Sequence, residues 1–259
     1  MLANTGCDGC RNGAPFPVAF TMAFHPIVDI EAGSIWGYEA LVRGTEGQGA
    51  GQILSHVTDE NRYTFDQACR VKAIELAGSR LKDDGVARLS INFMPNAVYE
   101  PSACIRSSLA AAAKAKFDPR RLMFEFTENE RMDDTEHVRH IVSEYKRMGF
   151  TTALDDFGAG YAGLGLLARF QPDLIKIDME LVRDISSSPS RQAIVKGIID
   201  IARTLNITVL AEGIESGEEL ASLRDAGVRL FQGYFFAKPQ LERFVALGEI
   251  DNLAAARAH

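Results

Sequence analysis

Two aspartates stand side by side at Asp155 and Asp156, delivered by an apolar run over 150–154 and followed by a stretch with glycines at 158, 160 and 163. Adjacent carboxylates repel, and at the end of a buried strand a divalent cation answers that repulsion better than water does. An aspartate here also suits the N-cap of a helix starting near Tyr161, a role that accounts for one carboxylate and not for two. Further polar residues follow or interrupt other apolar runs: Glu39 with Arg43 just beyond it, Asn92, Glu125, Lys176, Glu212 and Gln232. Each alone has an ordinary structural account, as a solvated acid, a turn cap or a lysine paired with an aspartate. Together they amount to five carboxylates, a carboxamide, a lysine and a glutamine. Burying that much negative charge requires a cation. The set offers oxygen and neither histidine nor cysteine, which selects Mg²⁺ or Mn²⁺ over zinc or copper. Two such ions about 3.5–4 Å apart would serve in-line attack on a phosphodiester.

These residues need elements that bring them to one place. Strand patterns run over 20–30, 35–42, 87–93, 122–126, 150–154, 174–177, 208–210 and 228–231. Helical spacing runs over 52–57, 65–81, 105–116, 135–148, 162–168, 191–205, 218–226 and, to close the chain, 240–247. The first two strands are joined so tightly that they must form an antiparallel hairpin. The others alternate with helices, the pattern of a parallel sheet with right-handed crossovers. The expected fold is therefore α/β, a distorted TIM-type (β/α)8 barrel with the first strand antiparallel to its neighbours. In such a barrel, polar residues at the strand ends meet at the mouth. An open doubly wound sheet is the competing architecture, but no G-x-G-x-x-G opens a helix here.

Composition sets outer bounds. The chain has 259 residues, 46% of them hydrophobic, with a formal net charge of −7. That charge does not resemble the basic footprint of a duplex-binding protein. No apolar run is long enough to span a membrane, and residues 1–15 carry no apolar signal segment. Residues 1–17 read as a flexible leader and 18–259 as the barrel domain. Four cysteines do not make a disulfide scaffold in this length, which places the chain in the cytoplasm. Cys7 and Cys10 form a lone CxxC in the leader, without the further ligands that a zinc site requires.

The same residues resemble the EAL-domain family of cyclic-di-GMP phosphodiesterases. Glu39-Ala40-Leu41 matches the signature that names the family. Glu125-Phe126-Thr127-Glu128, Asp155-Asp156-Phe157-Gly158, Lys176-Ile177-Asp178, Ala211-Glu212-Gly213 and Gln232-Gly233-Tyr234 follow in the family's order. The resemblance implies hydrolysis of cyclic-di-GMP to the linear dinucleotide 5′-pGpG by a homodimeric enzyme with two Mg²⁺ or Mn²⁺ ions per site. It implies Glu39, Asn92, Glu125 and Asp155 as ligands of one metal, with Asp155 bridging to a second held by Asp156 and Glu212. It implies that Lys176 orients the nucleophilic water, that Gln232 bonds nearby, and that Arg43, His25 and Asp178 meet the substrate. Glu128 would anchor the loop over 156–164.

Two departures from the family pattern stand out. His25 occupies a position where the family usually shows glutamine, and Ala159, Ala162 and Gly163 replace hydroxyl residues of the loop. Neither removes a ligand. The alternative within the family is a receptor or protein-binding regulator that hydrolyses nothing. Outside it, a lyase or epimerase of the enolase type uses similar groups but needs a capping domain that this chain is too short to hold.

Overall fold

The computed structural model describes residues 14–81, 85–98, 100–127, 135–160 and 163–257. Most of the leader with Cys7 and Cys10, and also Glu128, Tyr161 and Ala162, lie outside them. The strands are β1 (Phe20–Asp29), β2 (Ser34–Gly44), β3 (Arg88–Asn92), β4 (Leu122–Thr127), β5 (Thr151–Phe157), β6 (Leu174–Ile177), β7 (Thr208–Ala211), β8 (Leu230–Phe231) and β9 (Gln240–Leu241). From β2 to β8 each strand pairs in parallel with the next. β1 closes the ring, antiparallel to both β2 and β8. The fold is thus an eight-stranded closed barrel with its first strand reversed, and helices alternate with the parallel strands.

Local sequence explains the elements. β4 reads Leu-Met-Phe-Glu-Phe-Thr and is buried over its first five residues, as expected of a strand covered on both faces. The helix Thr135–Arg147 buries Val138, Ile141, Val142 and Tyr145, a single stripe at helical spacing. The helix Pro189–Thr204 starts on Ser188, whose side chain accepts the Arg191 amide, with proline at its first turn. A capping box of Ser216 and Glu219 starts Gly217–Asp225.

The barrel interior is layered. Side chains alternate along a strand, so residues two apart share a face. Ile27, Met123, Ala153, Leu174, Leu210 and Leu230 form a small apolar cluster of their own, with Trp36 packed against it. Each of the six lies two residues from a polar group of interest: His25, Glu125, Asp155, Lys176, Glu212 and Gln232. The apolar layer is the floor on which the polar layer stands. Phe124 and Phe126, of opposite parity on β4, belong instead to the larger core between sheet and helices.

Two expectations change. β5 continues to Phe157, so Asp155 and Asp156 lie within the strand and not after it. The closing helix over 240–247 does not form. Gln240 and Leu241 pair antiparallel with Phe24 and Ala23, and Glu242 turns the chain at φ +51°. Glu242 is held there by the Thr21 hydroxyl and by Arg80 at 2.8 Å. Phe244 stacks on Phe24 at 3.9 Å between ring centroids and meets Tyr38 edge-on. The apolar spacing that suggested a helix covers the outside of β1 and β2.

Candidate metal centre and substrate cleft

Lys176, two residues above Leu174 on β6, stands at the centre of the polar layer. It is completely buried. Its Nζ lies 2.7 Å from Glu212, 2.9 Å from Glu125, 3.0 Å from Asp155 and 3.6 Å from Glu39. Burial works to lower its pKa, but Asp155, Glu125, Glu212 and Glu39 outweigh it and hold the ammonium well above the usual lysine range. One cation does not balance four acids. Burial, with the Glu39 and Asp155 charges, pushes Glu125 up to about 8. Burial and Asp155 raise Glu212 well above the carboxylate range. Glu39 goes the other way: burial opposes its charge, but Lys176, His25 and the amides of Gln232 and Asn92 hold it low. Those amides donate to it at 2.9 and 3.0 Å, one to each oxygen.

Asp155 and Asp156 are adjacent on β5, and in a regular strand their side chains would face opposite ways. They do not, because Asp156 adopts φ +53° where the β5–β6 register slips between Leu154 and Phe157. Thr127 on the neighbouring strand donates its hydroxyl to Asp156 Oδ2 at 3.0 Å, and the Asp156 amide donates to Asp155 Oδ1. Burial and the Asp155 charge raise the Asp156 pKa.

Two carboxylate clusters result. Glu39, Glu125 and Asp155 form one, and Asp155, Asp156 and Glu212 the other; in each, ligand oxygens lie within 4.8 Å of one another. Asp155 belongs to both. Glu125 commits Oε2 to Lys176, while Oε1 is buried with no hydrogen-bond partner among the described residues. A buried carboxylate oxygen without a donor, in an all-oxygen cluster, fits a hard divalent cation. Asn92 stands on the first cluster's edge through its bond to Glu39.

Beside the clusters opens a cleft of about 280 Å³, whose walls include His25, Leu41, Arg43, Asp178, Glu215 and Tyr234. Arg43 spends one N–H on the carbonyl of Val42 at 2.7 Å. Asp178 caps the short helix Met179–Val182 by accepting the Glu180 amide. Gly233 lets the chain turn past Ile214 after Gln232; a Cβ there would fall on the Ile214 backbone. The structure thus brings together every predicted site residue within the described part of the chain. Thr127 and Tyr234 stand in the sequence only as parts of motifs, with no role of their own legible there. A hydroxyl two residues beyond Glu125, on the same strand face, was the available signal for Thr127.

The barrel and its acidic mouth define a class, and comparison with known proteins names it. The EAL domain matches residues 18–239, and the chain belongs to that family. It is 38% identical over 221 residues to the blue light- and temperature-regulated antirepressor BluF of Escherichia coli, covering 85% of this chain and 54% of BluF. It is 29% identical over 228 residues to the probable cyclic di-GMP phosphodiesterase PdeA of the same organism, covering 82% of this chain and 31% of PdeA. The chain therefore spans about half or less of the curated relatives it matches. Among solved structures, a standalone EAL protein of Vibrio cholerae in its c-di-GMP-bound form superposes with a TM-score of 0.85 at 50% identity, covering 90% of this chain and 96% of that one. Klebsiella pneumoniae BlrP1, in a manganese and cyclic di-GMP complex, gives a TM-score of 0.80 at 37% identity over 86% of this chain and 56% of that one. Among the described residues, no helix is long and apolar enough to cross a membrane.

Proposed function

We propose that this chain hydrolyses cyclic di-GMP to linear 5′-pGpG in a reaction that depends on Mg²⁺ or Mn²⁺. The pair of carboxylate clusters sharing Asp155, beside a cleft that contains Arg43, carries this reading. Glu39, Asn92, Glu125 and Asp155 would hold one divalent cation and Asp155, Asp156 and Glu212 another, which when bound supply Lewis acidity for water and neutralise phosphate charge.

The chain's own groups do the rest. Lys176 adds fixed positive charge beside the clusters and orients the attacking water. Gln232 and Asn92 hold Glu39 in its ionised form, and Thr127 fixes the carboxylate of Asp156. The remaining guanidinium donors of Arg43 suit a non-bridging phosphate oxygen. Water adds to phosphorus, one P–O3′ bond breaks, and the products are a 5′-phosphate and a 3′-hydroxyl on one linear dinucleotide. A cytoplasmic homodimer belongs to the same proposal, and sedimentation would measure that association.

A second reading, a cyclic di-GMP receptor that regulates another protein, is favoured by the similarity to an antirepressor. One assay separates the two. The purified chain is incubated with cyclic di-GMP and Mg²⁺ or Mn²⁺, with EDTA as control. Metal-dependent 5′-pGpG supports the enzyme; binding without product supports the receptor.

A further inference from the structure

Glu219 sits in the first turn of the helix Gly217–Asp225, and only 4% of it is exposed. A capping box needs it to reach back to one amide, that of Ser216. It does more. Its Oε2 accepts the amides of Ser216 at 3.1 Å and Glu215 at 2.9 Å, and its Oε1 accepts the amide of Asp184 at 3.3 Å. Glu215 and Ser216 belong to the segment that follows β7, and Asp184 to the segment that follows β6. Asp184 stands at φ +53°, a left-handed conformation that a captured amide helps to hold. One buried carboxylate thus joins two segments of the barrel mouth. The same two segments meet twice more around it. Arg183 pairs with Glu215 through both terminal nitrogens, at 2.6 and 2.8 Å. A Cβ on Gly213 would fall on Met179. These segments carry Asp178 and Glu215 into the cleft wall, while Glu39, Glu125, Asp155 and Lys176 stand on strands.

We propose that Glu219 is a positioning residue: it ties the segments after β6 and β7 into one unit, so that Asp178 and Glu215 meet the ligand at a fixed separation. The tether is independent of what binds, whereas its effect on cyclic di-GMP rests on the reading above and deepens it. A carboxylate suits the task because both its oxygens accept. A carboxamide accepts at one end only, and its oxygen would stay with the two donors of the β7 segment. The Asp184 amide would then face a donor and be released. Segments held in place before binding spare the ligand the cost of ordering them. Ser216 separates this tether from ordinary helix capping. Its hydroxyl accepts the Glu219 amide, so Ser216→Ala removes a cap and leaves the Glu219 side chain with its three donors.

The test combines amide hydrogen exchange with calorimetric titration of cyclic di-GMP in EDTA, where metal-dependent turnover cannot consume the ligand. Both are run on the wild-type chain, Glu219→Ala, Glu219→Gln and Ser216→Ala. Glu219→Ala should speed exchange at Asp184, Glu215 and Ser216 by about tenfold, the worth of one hydrogen bond to a charged group. Glu219→Gln should speed it at Asp184 alone, and stands in should Glu219→Ala fail to fold. Ser216→Ala should leave all three amides within about twofold of the wild type. Cyclic di-GMP should bind about tenfold more weakly to Glu219→Ala, as two cleft acids lose their fixed places, and with unchanged affinity to Ser216→Ala. Unchanged exchange at Asp184 in Glu219→Ala overturns the tether. A Ser216→Ala variant that loses protection and affinity as Glu219→Ala does makes Glu219 a helix cap only and overturns the proposal too. So does faster exchange in Glu219→Ala with cyclic di-GMP bound as tightly as before. A wild-type chain that binds no cyclic di-GMP instead overturns the functional reading above, while the exchange data still decide the tether.

Discussion

Lys176 supplies the internal countercharge for four acids that cannot all be ionised around it, and this makes the metal-free chain sensitive to pH. Glu125 sits at about 8 in the folded state against an ordinary 4.5, chiefly through burial. Between those values the folded chain keeps a proton that the unfolded chain has released. Stability in EDTA should therefore fall as pH rises from about 4.5 to about 8, with the penalty complete above that. Glu212, raised by burial and Asp155, acts in the same direction. Urea midpoints across this window should decline, and Glu125→Gln should flatten the decline; a midpoint that climbs would contradict the assignment. At this scale residue type was legible, because strand-end carboxylates without histidine or cysteine point to hard cations. The geometry that aims both aspartates the same way was not, since nothing in Asp155-Asp156 announces a positive φ at the second.

Among the elements, the helix Arg62–Arg80 carries a buried ion pair between two of its own residues, and that pair reaches neighbouring segments by hydrogen bonds. Arg70 is fully buried, pairs with Asp66 at 2.6 Å and donates to the Tyr145 hydroxyl at 3.0 Å. Asp66 also accepts the amide of Met94, just past Asn92. Asp66→Ala strands a buried guanidinium and should cost about 3–5 kcal/mol in urea unfolding. Asp200→Ala, which removes an exposed partner of Lys196 and Arg203, should change stability by less than about 0.5 kcal/mol. Equal losses would mean that the Arg70 network is solvated. The alternation of strands and helices could be read from periodicity because each parallel strand is buried on both faces. The segment after Pro239 does not follow that pattern: Leu241, Phe244 and Val245 are spaced as on a helix, yet Leu241 is exposed while Phe244 and Val245 pack into the core, Phe244 against Phe24 of β1 and Tyr38 of β2, a tertiary face that periodicity cannot see.

For the molecule as a whole, metal and fold are linked. Cations that bind only the folded clusters stabilise the chain by about 2.7 kcal/mol at a hundred times their dissociation constant. Mg²⁺ or Mn²⁺ should raise the melting temperature, and EDTA should return it. Glu39→Ala should abolish metal-dependent hydrolysis and most of the thermal shift while leaving the circular dichroism of the barrel intact. A retained shift would mean that the ion binds elsewhere. Barrel closure was expected from the number and order of strands. The polar layer's dependence on an apolar layer two residues below it emerged only once the inward faces were known.

The reversed first strand decides where the chain enters its own barrel. In a barrel of eight parallel strands the polypeptide comes in beneath the floor, on the side away from the chemistry. Here Phe20 pairs with Gly44 at the mouth end of β2, and Asp29 pairs with Leu230 at the base of β8. The strand descends from the rim. Whatever precedes Phe20 is thereby launched from the same side as Glu39 and Arg43, so a tethered upstream module could touch the working face without threading around the helical jacket.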